Sequence, residues 1–369
     1  MKMNTYFADF VRYISPTTAQ KTAMAREHRK LRELLQADAK LKPFLLSTFI
    51  QGSQRRFTAQ RGSREHPCDV DIVAVTNIPR GPETAPIAHG IFQPFLEEHY
   101  KGVYEAQDRS WCIQVDEDVK LDLVPTSEPD SLQLREVIKA ARLTEWAVDE
   151  YASNGDDFQS VQKLLLAEAT QDKDWEHADP IWIPDRKLAV WEQTHPLHLI
   201  AWTAKKNLSC NGHFAHVVRC IRWWRRHAAP MPERPKGYPL EHMVADCTPS
   251  GITSVAEGLA RAFREMANRY AADAAARRVP FLASRGVSNP EIDVMRRITG
   301  NDFAAFHQHV LAAASLAERA LEASTTSESS RLWRQLLPNF PLVADATPAA
   351  ATGFTQPDRP ATPREGRFA

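Results

Sequence analysis

Apolar positions recur at helical spacing in the first forty residues. In "TTAQKTAMAREHRKLRELLQA", Met24, Leu31, Leu34 and Leu35 share one stripe, and Thr17 or Thr18 suits the N-cap. The period then changes. From about Ser53 the chain predicts strands, and "DVDIVAVTN" alternates strictly. Val70, Ile72 and Ala74 fall on one face, with Asp69, Asp71 and Val73 on the other. "GIFQPFLEEHY" reads as a short helix. "SWCIQV" and "VKLDLVPT" read as two strands joined by an acidic turn at Asp116–Asp118. "DPIWIPDRKLAVWEQTHP" is punctuated by proline and reads as a crossing between lobes.

From His195 the pattern is helical. "FAHVVRCIRWWRRH" is amphipathic and ends before Pro230 and Pro232. Residues 251–276 and 301–324 predict two further helices. From Pro341 onward Pro, Thr, Ala and Gly dominate without a period, which predicts a flexible tail. The expected organisation is a catalytic lobe with N-terminal helices over 1–165, a helical lobe over 166–340 and the tail over 341–369.

Bulk properties narrow the function classes. The 369 residues suit two lobes around one cleft. Lys+Arg and Asp+Glu are equal at 46 each, so whole-chain charge gives no sign of a nucleic-acid or membrane surface. Five scattered cysteines do not make a disulfide framework. The N-terminus reads as no secretory signal, and no stretch approaches the roughly 18 apolar residues of a span. The expectation is a cytosolic protein with no membrane contact.

The chemistry sits on two strands. Asp69 and Asp71 are two apart, so their carboxylates emerge on the same face while the alternate residues anchor the strand. Such a pair repels itself unless a cation intervenes, and hard oxygen donors suit Mg²⁺ better than zinc. Asp122 lies on the open face of "VKLDLV" with Lys120 and Val124 and supplies a third carboxylate. Three carboxylates can divide two metal ions between them. Asp116, Glu117 and Asp118 sit in the turn and are weaker candidates. Gly52 and Ser53 form a turn where backbone can approach phosphate, Thr58 can fix that turn, and Arg55, Arg56, Arg61 and Arg64 add positive charge. Gly-Ser, then Asp-x-Asp on an apolar strand, then Asp on a second one, is the ordered pattern of the nucleotidyltransferase fold shared with DNA polymerase beta.

"STFIQGSQRRFTAQR", "DVDIVAVTN" and "VKLDLVPT" resemble the bacterial cGAS/DncV-like nucleotidyltransferases, the CD-NTases. So do "THPLHLIAWTAKKNLSCNGHFAHVVRCIRWWRRH", "PKGYPLEHMVAD" and "RRITGNDFAAFHQHVLAAASLAERAL". The resemblance covers nearly the whole chain and is closest to clade D, including the ending "GRFA". It implies a two-lobed α/β plus α enzyme, with a mixed-sheet catalytic lobe and a helical second lobe. The implied product is a cyclic oligonucleotide second messenger for antiphage (CBASS) defence, here a cyclic trinucleotide from ATP with some GTP, formed with two Mg²⁺ ions.

Residue by residue, the resemblance assigns Asp69, Asp71 and Asp122 to the metals and Gln51, Gly52 and Ser53 to the nucleotide-binding turn. Arg56 and Thr58 join that nucleotide set. Arg222 of "IRWW" stands where relatives commonly carry a lysine against the donor triphosphate, with Lys205 and Lys206 as rivals. Tyr238 falls in the same pocket. The implied partners are the NTP substrates, ubiquitin-transfer-like or HORMA-type proteins of the same operon, and a downstream cyclic nucleotide-activated effector. Capture of the terminal Ala369 by a transfer enzyme follows from the same resemblance. Two alternatives stay open at this level. One is a linear-product enzyme of the oligoadenylate synthase or RNA-tailing type; the other is an inactive scaffold of the same fold.

Two further motifs have plainer readings. In "CNGHFAHVVRC", Cys210, His213, His216 and Cys220 allow a zinc site, but the spacing matches no common closed zinc module, and a helix start running into core accounts for it. "RCIRWWRRH" mixes arginine and tryptophan as single-stranded nucleic-acid binders do. Core tryptophans with arginines lining a nucleotide cleft is the preferred reading, and Trp191, Trp202 and Trp333 are likewise assigned to packing.

Overall fold

A computed structural model describes residues 1–143, 145, 178–228, 230–287 and 292–344. α1 (Asn4–Ile14) and α2 (Thr18–Ala37) open the chain. α2 begins with a capping box in which Thr17 and Gln20 satisfy each other's backbone N–H groups. A five-stranded sheet follows in the order β1-β2-β5-β4-β3. Its strands are β1 (Leu45–Gln51), β2 (Cys68–Thr76), β3 (Tyr104–Ala106), β4 (Trp111–Asp116) and β5 (Val119–Pro125). β2 and β5 run parallel, and the other pairs are antiparallel. Short helices interrupt the strands: α3 (Gly52–Arg55), α4 (Thr84–Gly90) and α5 (Gln93–His99).

The two faces of β2 meet different cover. Val70, Ile72 and Ala74 join Val119, Leu121 and Leu123 beneath Met24, Leu31 and Leu35 of α2. On the opposite face Val73 and Val75 pack with Phe49 against α6 (Leu132–Leu143) and α7 (Pro196–Ser209). Asp69 and Asp71 share that second face by the two-residue repeat, but sit nearer the start of the strand, where burial becomes partial. On this second face apolar cover stops short of the acidic end of the strand, while the α2 face stays covered through Val70 and Cys68.

The helical core collects α8 (Phe214–His227), α9 (Tyr238–Cys247), α10 (Val255–Arg269), α11 (Ala271–Ala275), α12 (Gly300–Glu322) and α13 (Thr326–Leu336). Trp224 meets Phe263 edge-on at 4.9 Å. α1 leaves the sheet and packs here, with Phe7 edge-on to Trp333 at 5.0 Å. The apolar stripe of "NTYFADFVRYI" thus joins the helical core, although the sequence grouped both N-terminal helices with the sheet.

Several elements differ from the sequence reading. The sheet begins at Leu45, not near Ser53, and Gly52–Arg55 is helical. Phe49 and Ile50 are both buried, each in a different core, so β1 is covered on both faces and shows no alternation. The expected crossing segment is an antiparallel hairpin of β6 (Ile181–Asp185) and β7 (Val190–Thr194). Asp185 closes its turn by accepting the N–H groups of Lys187 and Leu188 at 3.0 Å each. The helix expected over 251–276 breaks at Tyr270. The zinc reading does not hold among the described residues. Cys210 and Cys220 are buried thiols, and the Cys210–Cys220 set is not among the groups of side chains that could hold a metal. The 165/166 boundary, the tail from residue 345 and Ala369 lie outside the described residues. No described helix is long and apolar enough to cross a membrane.

Candidate active site

Parallel pairing of β2 with β5 sets Asp71 directly opposite Asp122, and Asp69 opposite Lys120. One carboxylate oxygen from each of Asp69, Asp71 and Asp122 lies within 4.8 Å of the others. The local cause is parity: each aspartate alternates with a buried aliphatic residue, so the core fixes the direction of all three. Burial raises Asp69 well above the ordinary carboxylate range, and the charges of Asp71 and Asp122 add to it. Asp71 is pushed up to about 6 by burial and by Asp122, against the pull of Arg56, Lys120 and Arg222.

Lys120 lies between the outer carboxylates, its Nζ 3.6 Å from Asp69 Oδ1 and 3.3 Å from Asp122 Oδ2. Burial opposes its charge, yet the two aspartates raise it above the usual lysine value. Even so, Asp69 Oδ1 and Asp122 Oδ1 are buried without a hydrogen-bond partner. Gathered, under-satisfied carboxylate oxygens are what a hard divalent cation requires. A second described grouping, Asp38, Glu98 and His99, is largely exposed and has no such orphaned oxygen.

The Gly-Ser turn abuts the triad. Gln51 pairs with Asp71 across β1 and β2. Gly52 has φ +77°, and a Cβ placed there would stand 1.8 Å from Asp71 Oδ2. Glycine is required here both by the left-handed backbone and by the carboxylate against it. Ser53 is half-buried, and its carbonyl accepts the N–H of Thr58 at 2.9 Å.

The remaining candidates separate. Arg56, Thr58 and Arg222 converge on Glu241, a residue the sequence reading passed over. Arg56 donates from Nη2 at 3.0 Å and Nε at 3.3 Å to Glu241 Oε2. The Thr58 hydroxyl donates to Oε1 at 3.2 Å. Arg222 Nη1 donates to Oε1 at 2.8 Å and to the Thr58 carbonyl at 2.9 Å. Burial works against the Glu241 charge, but Arg56 and Arg222 outweigh it and hold the carboxyl below its ordinary value. The only sequence signal was an acid in the first turn of "GYPLE". Tyr238, at the start of the same helix, is half-buried and meets His242 edge-on at 5.7 Å. Lys205 is exposed on α7, and Lys206 donates to the Thr248 carbonyl at 2.6 Å within the helical core. Of the other arginines after the turn, Arg55 is buried, Arg61 lies over the Tyr13 ring at 4.9 Å and Arg64 is exposed.

Residues 1–148, which contain the turn and all three aspartates, match the family model described as the Second Messenger Oligonucleotide or Dinucleotide Synthetase domain. A cyclic AMP-AMP-GMP synthase of Enterobacter hormaechei subsp. hoffmannii (strain UCI 50) is 37% identical over 385 aligned residues, covering all of both chains. The chain belongs to the bacterial CD-NTase family. A second relative of this CD-NTase, a cyclic AMP-AMP-AMP synthase of an Acinetobacter species, is 25% identical over 389 residues, covering all of this chain and 98% of that one. Among solved structures, the CD-NTase CdnG of Bradyrhizobium diazoefficiens in complex with GTP matches with a TM-score of 0.63. It is 13% identical and aligns over 90% of this chain and 94% of its own. The CdnC:HORMA-deltaN complex of E. coli MS115-1 matches with a TM-score of 0.59 at 13% identity, over 92% and 98% of the two chains. At such low identity these likenesses establish the DNA polymerase beta-like fold.

Proposed function

We propose that this CD-NTase joins ATP and GTP into a cyclic trinucleotide second messenger, releasing pyrophosphate, in CBASS antiphage defence. The observation that carries the reading is the triad of Asp69, Asp71 and Asp122, gathered within 4.8 Å beside the Gly52 turn. Three nucleotides with at least two adenines is what the names of the relatives share: two are called cyclic AMP-AMP-GMP synthases, one of them as probable, and the third a cyclic AMP-AMP-AMP synthase.

Asp69, Asp71 and Asp122 would hold two Mg²⁺ ions, which would acidify an acceptor ribose hydroxyl and offset the charge of departing pyrophosphate. The hydroxyl oxygen attacks the α-phosphorus, and the bond from that phosphorus to the bridging oxygen of pyrophosphate breaks. Asp122 takes the hydroxyl proton in this reading, which its burial and the lack of a hydrogen bond at Oδ1 support. The Gln51–Gly52–Ser53 turn brings backbone to the triphosphate. Arg56 and Arg222 bring positive charge toward the triad. Repetition on a retained linear product, then closure, gives the ring. Positioning and charge neutralisation dominate such transfers. A HORMA-type or ubiquitin-transfer-like partner from the same operon, and a separate effector, complete the system in this reading.

The test is product mass. Purified full-length protein is incubated with the four NTPs and Mg²⁺, treated with phosphatase, and examined by mass spectrometry. A phosphatase-resistant mass of three cyclised nucleotides supports the reading. Linear oligonucleotides with removable terminal phosphates would replace it with a linear-product enzyme.

A further inference from the structure

Glu241 sits 185 residues from Arg56 in sequence, yet accepts hydrogen bonds from Arg56 and Thr58 on the sheet side and from Arg222 on α8. It uses only part of each guanidinium. Arg56 spends Nε and Nη2 on Oε2, and no hydrogen bond from its Nη1 occurs among the described residues. Arg222 spends the single nitrogen Nη1 on both its acceptors. Its Nε and Nη2 make no hydrogen bond among the described residues. Both arginines also act on Asp71, so their charge reaches the triad.

We propose that Glu241 is a positioning residue for the nucleotide triphosphate: it grips Arg56 and Arg222 by one side of each guanidinium and turns the other side toward the cleft. This rests on the nucleotidyltransferase reading and deepens it. A guanidinium can be held on one edge and still offer a fork of donors to phosphate, whereas a lysine is a single point charge. The arginine at position 222 and the carboxylate at 241 therefore form one device. Glu241 bonds two arginines and a hydroxyl with its two oxygens, so little of its own charge is left to repel a triphosphate.

The device predicts a split between triphosphate and monophosphate. ATP and AMP are each titrated against a fluorescent nucleotide bound to the full-length protein. Glu241→Gln should weaken ATP by about tenfold and shift AMP by less than about twofold. Equal losses for both, or no loss for either, would overturn the proposal, because a purely structural role does not distinguish a base-and-ribose ligand from one with a triphosphate. Removing a buried partner of two arginines can also prevent folding. Thr58→Val is the second variant, since it deletes one donor to Glu241 without changing any charge. It should weaken ATP by about threefold with AMP unchanged, and an equal or absent effect overturns the proposal in the same way. Wild-type product formation is measured alongside. A wild type that binds ATP over AMP but makes no ring counts against the proposed function and leaves the Glu241 result to stand on its own.

Discussion

Two carboxylate clusters have opposite character. The triad gathers three acids, two of them paired with Lys120, and leaves two oxygens without a hydrogen bond. The hairpin joint gathers Asp108, Asp185 and Glu192 around Arg109, Arg296 and Arg297. There Asp185 is completely buried, yet Arg297 at 2.7 Å, Arg109 at 3.3 Å and two backbone N–H groups satisfy it. Burial alone would raise Asp185; the hydrogen bond from Leu188 and the two arginines overcome that and hold it below its ordinary value. Asp71 has the same side chain, only partly buried, and moves the other way, to about 6. Burial pushes both upward, so compensation decides the direction each finally takes. A compensated acid is a joint, and an under-compensated group of acids awaits a cation.

The sharpest way to break this contrast is to remove triad charge. Asp69→Asn with Asp71→Asn should cut product by more than about a thousandfold. Metal-free melting should not fall, because like-charge repulsion is relieved; a lower melting temperature would give the triad the character of a joint. Asp185→Asn should do the reverse. It leaves Arg109 and Arg297 facing a neutral group and should cost stability of about 3 kcal/mol, read by denaturant unfolding, while activity per folded molecule is kept. Gly52→Ala sharpens the geometry. Its left-handed backbone costs about 1–2 kcal/mol, and the new Cβ displaces Asp71, so activity should fall about a hundredfold.

The smallest effect is a pH dependence. The folded-state value of Asp71 lies above its ordinary 3.8, so the native state holds an extra proton between 3.8 and about 6. Stability from this group is thus present at low pH and lost as pH rises through that window. Asp71→Asn should melt higher than wild type above pH 6 without metal, and the gap should close as pH falls toward 4. Asp185 carries the opposite sign, stabilising at neutral pH and losing that contribution as pH falls through its lowered value.

The triad was legible because parity is local. Asp-x-Asp on an aliphatic strand fixes two side chains, and the same parity in "VKLDLV" fixes the third. Lys120 shared that face with Asp122, and only the register opposite Asp69 gives it a bridging place. β1 was missed because burial on both faces erases alternation. The hairpin was missed because Pro184 sits in a strand and reads as a breaker. Glu241 was out of reach for another reason: nothing within one helix turn shows that its partners come from Arg56, Thr58 and Arg222. Arg61 and Arg64 looked equivalent to Arg56, and packing on Tyr13 and plain exposure separated them.

The most direct measurement is a thermal melt of full-length wild type and the Asp69/Asp71 double asparagine variant, each with and without Mg²⁺ at pH 7.5. The account predicts that Mg²⁺ raises the wild-type melting temperature and leaves the variant unmoved, while the metal-free variant melts no lower than the metal-free wild type. An equal Mg²⁺ response in both proteins, or none in the wild type, would contradict the claim that these aspartates form the metal site of a nucleotidyltransferase.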